Sequence, residues 1–325
     1  MRGWTIRYHP SEGVTLLLNL SSYHPDTLEA DFAERKVKWI VLYRVYQMHF
    51  RDIDINNELL RSLASELQQD LDARSIRRLF AESRGPNSID EAYRLQRALR
   101  EFRETRGEKV VGFKVGYTSA TVRKKGAKVM GLSESVHGYL WDSESYKNGC
   151  AIDHRRLAIE AELGVKLLSA DTNDISQWEV EYEPIIEVHM LGMDGPLEDN
   201  RGRRGLELIG TNCIHAGVVH CSETKRCFVG EIPLNIPMTL FIGGRHIEQV
   251  RLMELEIENV YGPVATISWL LRTLRSEGNG EDKLLKSGSI VICSTPGDLH
   301  PVMPGVDVKV EFAGLETTCK ATTQF

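Results

Sequence analysis

Three short runs set charged side chains among apolar, β-branched neighbours, where a charge is costly unless something answers it. In Leu157-Ala-Ile-Glu-Ala-Glu-Leu-Gly-Val-Lys-Leu, Glu160 and Glu162 stand two residues apart. Successive side chains of a strand leave opposite faces, so both carboxylates share one face while Ile159, Ala161 and Leu163 take the other. Adjacent like charges favour a bound cation or a retained proton, and a hard divalent ion is a natural third party. The run Glu183-Pro-Ile-Ile-Glu187-Val-His189 adds a third carboxylate, Glu187, between apolar residues. Three carboxylates on two neighbouring strands leave coordination positions for water and a chelating ligand, which suits Mg2+ or Mn2+. The same spacing also fits the solvated face of an antiparallel sheet. In Val110-Val-Gly-Phe-Lys114-Val-Gly-Tyr-Thr-Ser119, the lysine alternates with apolar residues between Gly112 and Gly116. It faces either solvent or a cavity where its ammonium meets an anionic substrate.

The elements that must position these residues follow from periodicity. Apolar residues at three- and four-residue steps (Leu59, Leu60, Leu63, Leu67, Leu71, Ile76) predict an amphipathic helix over Asn56–Phe80. Ser88 followed by Glu91 is a capping-box pattern and predicts a second helix over Ile89–Arg106. Beyond Gly107 the texture changes to short β-branched runs broken by glycine. They predict strands at 109–115, 158–168, 184–190, 238–241, 246–257, 289–293 and 306–312. Ile267, Leu270, Leu271 and Leu274 share a face, and Gly278 lies beyond it, so one more helix is expected at Val264–Ser276. The organisation is a poorly defined extension (1–52), a helical part (53–106) and a strand-rich domain expected to be catalytic (107–325).

Bulk properties narrow the partner. A net charge of −6 lacks the surplus of Lys and Arg that phosphate contacts need, so nucleic acid is not expected. Neither Val14–Leu20 nor Val37–Phe50 reaches the ~20 apolar residues of a membrane span. With no export signal pattern at its start, the chain is expected to be cytoplasmic, with no membrane partner. The six cysteines form no CxxC pair and are expected to be free thiols. Cys213, His215, His220 and Cys221 are competent zinc ligands, but their spacing is not that of a zinc knuckle.

Read in order, these runs resemble a family. Ser88-Ile-Asp-Glu-Ala-Tyr-Arg-Leu-Gln96, Gly112-Phe-Lys-Val-Gly-Tyr-Thr-Ser119, Ile159-Glu-Ala-Glu-Leu163 and Ile186-Glu187-Val188 are followed by Gly262-Pro-Val-Ala-Thr-Ile-Ser-Trp-Leu270, Leu285-Lys-Ser-Gly-Ser-Ile-Val291 and Val302-Met-Pro-Gly305. From about residue 55 onward this is similar to the hydratase/decarboxylase branch of the fumarylacetoacetate hydrolase superfamily, with its 2-oxopent-4-enoate hydratases and 4-oxalocrotonate decarboxylases. The resemblance implies an α+β fold, a mixed β-sandwich or roll preceded by N-terminal helices. It also implies Mg2+ or Mn2+ held by Glu160, Glu162 and Glu187, with Lys114 at the substrate's ionised groups and Ser119, Asn212 and Thr295 binding substrate. The implied partner is a small 2-oxo acid and the implied assembly a homo-oligomer.

Two departures qualify it. Where the hydratases carry Asp-Phe-Gly this chain reads Val136-His137-Gly138, and where they carry Ala-Asp-Asn-Ala-Ser it reads Gly210-Thr-Asn-Cys-Ile214. Both acids are gone, and His137 is the candidate replacement proton carrier. Hydration needs a general base and an acid, so decarboxylation or tautomerisation through a metal-stabilised enolate is expected ahead of hydration. The rivals are acylpyruvate-type C–C hydrolysis, for which Glu134 and His137 are available, and a catalytically silent binding or structural subunit.

Overall fold

Several strands in this chain arise where every second residue is apolar, and some helices where a polar cap precedes an apolar stripe. The computed structural model describes residues 5–9, 13–17, 52–73, 75, 78–81, 84–153, 157–170, 172–191, 201–294 and 296–322. Val37–Phe50, Ile76 and Thr295 lie outside the described residues. In chain order the elements are β1 (Thr5–His9), β2 (Gly13–Leu17), α1 (Asp52–Asp72), α2 (Arg78–Ala81), α3 (Ile89–Thr105), β3 (Val110–Gly116), α4 (Ala120–Val129), β4 (Val136–Trp141), β5 (Ser145–Tyr146), β6 (Cys150–Asp153), β7 (Leu157–Leu167) and β8 (Glu179–Met190). They continue with α5 (Arg201–Gly210), β9 (His215–Val219), β10 (Lys225–Phe228), β11 (Pro237–Ile242), β12 (Arg245–Arg251), β13 (Glu256–Ile257), β14 (Val260–Tyr261), α6 (Gly262–Ser276), β15 (Ile290–Ile292), β16 (His300–Pro301), β17 (Asp307–Phe312) and β18 (Leu315–Thr322).

Two compact units result, Met1–Leu59 and Leu60–Phe325. In the first, β1 and β2 pair antiparallel. The second contains a nine-stranded mixed sheet of order β4-β3-β15-β7-β8-β9-β5, with β10 on β8 and β16 on β7, and a five-stranded sheet of order β12-β11-β17-β18-β6. Ile159, Ala161, Leu163, Val165 and Leu167 of β7 enter one core with Ile186 and Val188 of β8, Val310 and Phe312 of β17, and Ile267, Leu270 and Leu274 of α6. The rings of Tyr182 and Phe312, 6.1 Å apart, join the two sheets. Each fully buried side chain of this size contributes ~1.5–3 kcal/mol, and a one-residue slip would turn the whole set outward, so burial fixes the register. The architecture is the expected α+β arrangement of curled mixed sheets with N-terminal helices.

The helices depart from expectation in detail. Ser88 Oγ accepts the Glu91 N–H at 3.2 Å, but the Glu91 carboxylate accepts from the Asn87 N–H instead of from Ser88. Ala92, Leu95, Ala98 and Leu99 of α3 are buried, and the last three cluster with Ala64 and Leu67 of α1 and Leu79 of α2. The first helix stops at Asp72 instead of reaching Phe80. The sequence periodicity marks none of β4, β5, β6, β9, β10, β14, β16, β18, α4 and α5. β4 and β9 are buried at every position, which removes the alternation that signals a strand, and Gly126 is the one buried residue of α4. Among the described residues no helix is long and apolar enough to cross a membrane.

Gly112 shows how tightly the lysine strand is held. A Cβ there would stand 1.8 Å from the Ile290 carbonyl oxygen, at a point where the β3–β4 register also shifts. Gly112→Ala is therefore expected to cost ~3 kcal/mol or more by forcing β3 from β15. A denaturant midpoint within error of wild type would contradict this. Removal of residues 1–51 is expected to leave a soluble, cooperatively melting protein, because Leu60–Phe325 is compact by itself; aggregation of the shortened chain would oppose it.

Candidate functional site

The β7–β8 register sets Glu160 directly opposite Glu187, Ala158 opposite His189 and Glu162 opposite Ile185. Residues opposite one another share a face, as do residues two apart on one strand, so Glu160, Glu162, Glu187 and His189 all leave the sheet on the side away from the main core. Lys114 arrives on the same side through β15, since it pairs with Ile292 and Ile292 pairs with Gly164. The structure thus brings together the three glutamates and the lysine singled out from sequence, and adds His189, which sequence reasoning missed, and His215, weighed there only as a zinc ligand. His189 had a usable signal, its two-residue spacing from Glu187. His215 had none, because a bulge between Val188 and His189 sets its pairing.

Glu187 is fully buried (0% exposed). Its Oε1 takes an ion pair from Lys114 Nζ and lies 2.7 Å from His215 Nδ1. A carboxylate only accepts, so that nitrogen carries the proton. The other oxygen, Oε2, has no hydrogen-bond partner and lies 3.6 Å from His189 Nε2, which is itself 3.0 Å from Glu160 Oε2. One ligand atom from each of Glu160, Glu187 and His189 lies within 4.8 Å of the others. Glu162 is 2% exposed and its Oε2 also lacks a partner. Buried polar atoms are ordinarily satisfied, so orphans gathered at one point fit a bound ion.

The charges are coupled. Burial would raise Glu187, but the Lys114 ammonium, with His189 and His215, outweighs it and holds the carboxyl well below the usual range. Burial pushes Glu162 well above its ordinary value of 4.5, helped by the nearby Glu187 and Glu160 charges. For Lys114 the burial penalty is overcome by the Glu187 charge and, less strongly, by Cys213, Glu162 and Glu160, so its proton is held more firmly than usual.

A left-handed turn closes on the lysine. Asn212, Cys213 and Ile214 have φ of 58°, 55° and 52°, a conformation that costs L residues energy and persists only when its surroundings impose it. Asn212 imposes it: Oδ1 accepts the Tyr139 N–H at 2.6 Å, and Nδ2 donates to the Tyr139 carbonyl at 2.8 Å. A Cβ at Gly138 would meet that Oδ1 at 2.8 Å, which excludes a side chain there. The turn delivers the Cys213 carbonyl to 3.5 Å from Lys114 Nζ.

Other residues singled out from the sequence have partners of their own. His137 pairs with Val115, one residue from Lys114, and so leaves the opposite face. There its ring stacks on Tyr93 at 4.7 Å and its Nε2 lies 3.0 Å from Glu277 Oε1, away from the carboxylates. Asn212, expected to bind substrate, spends its amide on Tyr139. The Ser119 hydroxyl accepts the Val122 N–H at 3.1 Å and caps α4, with its own proton left to donate. Thr295 lies outside the described residues. The imagined zinc ligands disperse: His215 goes to Glu187, His220 to Glu183, and the Cys213 and Cys221 thiols to the His137 and Glu316 carbonyls.

The fold is one shared with solved structures of a small-acid decarboxylase. The particular likeness is to 4-oxalocrotonate decarboxylase. The structure of that protein from Pseudomonas putida G7 complexed with magnesium and adipate matches with a TM-score of 0.65 at 20% identity, covering 81% of this chain and 97% of that one. Its form complexed with calcium and acetate gives 0.63 at 20% identity over the same shares. In sequence, a curated 4-oxalocrotonate decarboxylase of Pseudomonas putida is 31% identical over 115 residues, 34% of this chain, so the chain spans 42% of that relative's length. No protein-family model matches the chain.

The raised Glu162 carboxyl has a testable sign. Folded protein keeps a proton that the unfolded chain releases above 4.5, so the metal-free protein loses stability as pH rises past that value and regains it as pH falls. Glu162→Gln removes this loss. Its melting temperature is expected to exceed that of metal-free wild type between about pH 6 and 8, with the gap closing toward about pH 4. An equal or lower melting temperature across that range would count against a strained Glu162.

Proposed function

We propose that this chain is a divalent-metal-dependent lyase acting on a small 2-oxo or dienol carboxylic acid, by decarboxylation or tautomerisation through an enolate. The observation that carries the reading is the carboxylate group beside Lys114, in which buried Glu187 and Glu162 each keep an unpartnered oxygen and Glu160 lies opposite Glu187. The two 4-oxalocrotonate decarboxylase structures support it, each being complexed with a divalent cation and a carboxylate. Glu160, Glu162 and Glu187 would hold Mg2+ or Mn2+. A divalent ion bound there supplies Lewis-acid stabilisation of enolate charge.

The chain's own groups do the rest. Lys114, firmly protonated, offsets negative charge on the substrate and keeps Glu187 ionised and oriented. His215 donates to the same oxygen of Glu187 through Nδ1. Val136 pairs with Gly116, two residues from Lys114, so the position where the hydratases carry an acid faces the lysine's side of the sheet and here presents a buried isopropyl group. Hydration therefore lacks a proton carrier at that position. The Glu134 and His137 pair invoked for C–C hydrolysis is weakened because His137 is engaged by Glu277 behind the sheet.

Assayed with Mg2+ or Mn2+, the protein is expected to decarboxylate or tautomerise 2-oxo acids and to add water to a 2-hydroxydienoate ~10²–10⁴-fold more slowly, the usual worth of one general acid or base. Glu160→Ala should abolish divalent-ion binding and turnover together. Val136→Asp should raise hydration without tightening ion binding, provided its melt stays cooperative. Efficient hydration by the wild-type protein would refute the order of reactions, and calorimetry showing undiminished ion binding by Glu160→Ala would refute the site.

A further inference from the structure

The resemblance supplies oxygen ligands only, whereas the geometry offers a nitrogen. His189 follows Glu187 by two residues on an extended strand, so both side chains leave the same face. The imidazole is 3% exposed, and neither ring nitrogen has a hydrogen-bond partner among the described residues. Nε2 stands 3.0 Å from Glu160 Oε2 and 3.6 Å from Glu187 Oε2, which is the oxygen that Lys114 and His215 leave free. The group whose ligand atoms converge within 4.8 Å is Glu160, Glu187 and His189, and Glu162 is not a member of it.

We propose that His189 joins the carboxylates in ligating the metal through Nε2, and that the added imidazole biases the site toward first-row transition ions such as Mn2+, Fe2+ and Co2+ over Mg2+ and Ca2+. This rests on the proposed function, in that the site must bind a divalent ion. Mg2+ and Ca2+ are hard ions that take oxygen donors, whereas imidazole adds affinity for transition ions and little for these two. An imidazole that only ion-paired with Glu160 would leave Glu187 Oε2 unanswered; a shared cation satisfies Glu160, Glu187 and His189 together.

The test measures ion binding and not turnover. Full-length wild type, His189→Leu and His189→Asn are titrated calorimetrically with Co2+ and with Mg2+, and the Mn2+-loaded proteins are examined by electron spin echo spectroscopy for coupling to a ligand 14N nucleus. Asparagine, close in size and polar, covers the case in which leucine fails to fold. The expected result is 14N coupling in wild type that disappears in both variants, with Co2+ affinity falling ~10–100-fold or more while Mg2+ affinity changes little. Ion binding by wild type without 14N coupling, coupling that persists in the variants, or an unchanged ratio of Co2+ to Mg2+ affinity would overturn the role of His189 and leave the proposed function standing. Absence of any divalent-ion binding by wild type would overturn both.

Discussion

Two carboxylates face each other across adjacent strands in the interior of this protein, and the rest of the structure is arranged around that repulsion. Like charges directly opposite on a sheet destabilise it, and at ~4 Å with an effective dielectric near 20 the repulsion is about 4 kcal/mol. The register that places Glu160 opposite Glu187 is nevertheless enforced by the apolar residues on the reverse face of β7 and β8. Lys114 and His215 offset the charge from one side and meet the same oxygen of Glu187. A resting site with compensated charge on one oxygen and open donors on the other is suited to taking up a cation without rebuilding its supports.

Those supports reach well beyond the sheet. Gln96 of α3 donates to the carbonyls of His137 in β4 and Ile209 in α5, at 3.0 and 2.9 Å, and so ties two helices to the strand beside β3. The left-handed turn that follows α5 is locked to Tyr139 by Asn212, and the carbonyl it presents to Lys114 belongs to a residue whose thiol bonds the His137 carbonyl. His137 and Asn212 therefore matter to the site through position. They hold the backbone that holds the lysine, while their own polar atoms are engaged elsewhere.

The sequence made the carboxylates legible for a simple reason. β7 has one face in the main core and one at the site, so its period-two pattern is unbroken, and Glu160 and Glu162 stand out against Ile159, Ala161 and Leu163. Lys114 and Glu187 were legible on the same ground. β4 was not, because Val136 through Trp141 are all buried and the run shows no alternation, which also hid the fact that His137 and Lys114 face opposite ways. His215 depends on a bulge that no local spacing encodes. The helix break after Asp72 escaped notice because the leucine stripe of α1 continues in phase up to Leu71 and gives no warning of its end.

The proton inventory around the carboxylates bears on the proposed chemistry. Lys114 holds its proton more firmly than a free lysine. Burial raises Tyr117, which also senses the Glu160 and Lys114 charges, and pushes the Cys213 thiol up to about 12. Glu187, held well below the usual carboxylate range, is a poor proton acceptor. Lys114, Tyr117 and Cys213 thus keep their protons, and Glu187 is too weakly basic to remove one from water near neutral pH. Loss of carbon dioxide followed by protonation of carbon needs an electron sink and a donor, and ketonisation of a dienol has similar demands. Addition of water needs a base as well, at a position where this chain places the side chain of Val136. The substitution that looks like a loss in sequence thus leaves no base among these neighbours, in keeping with the enolate chemistry proposed above.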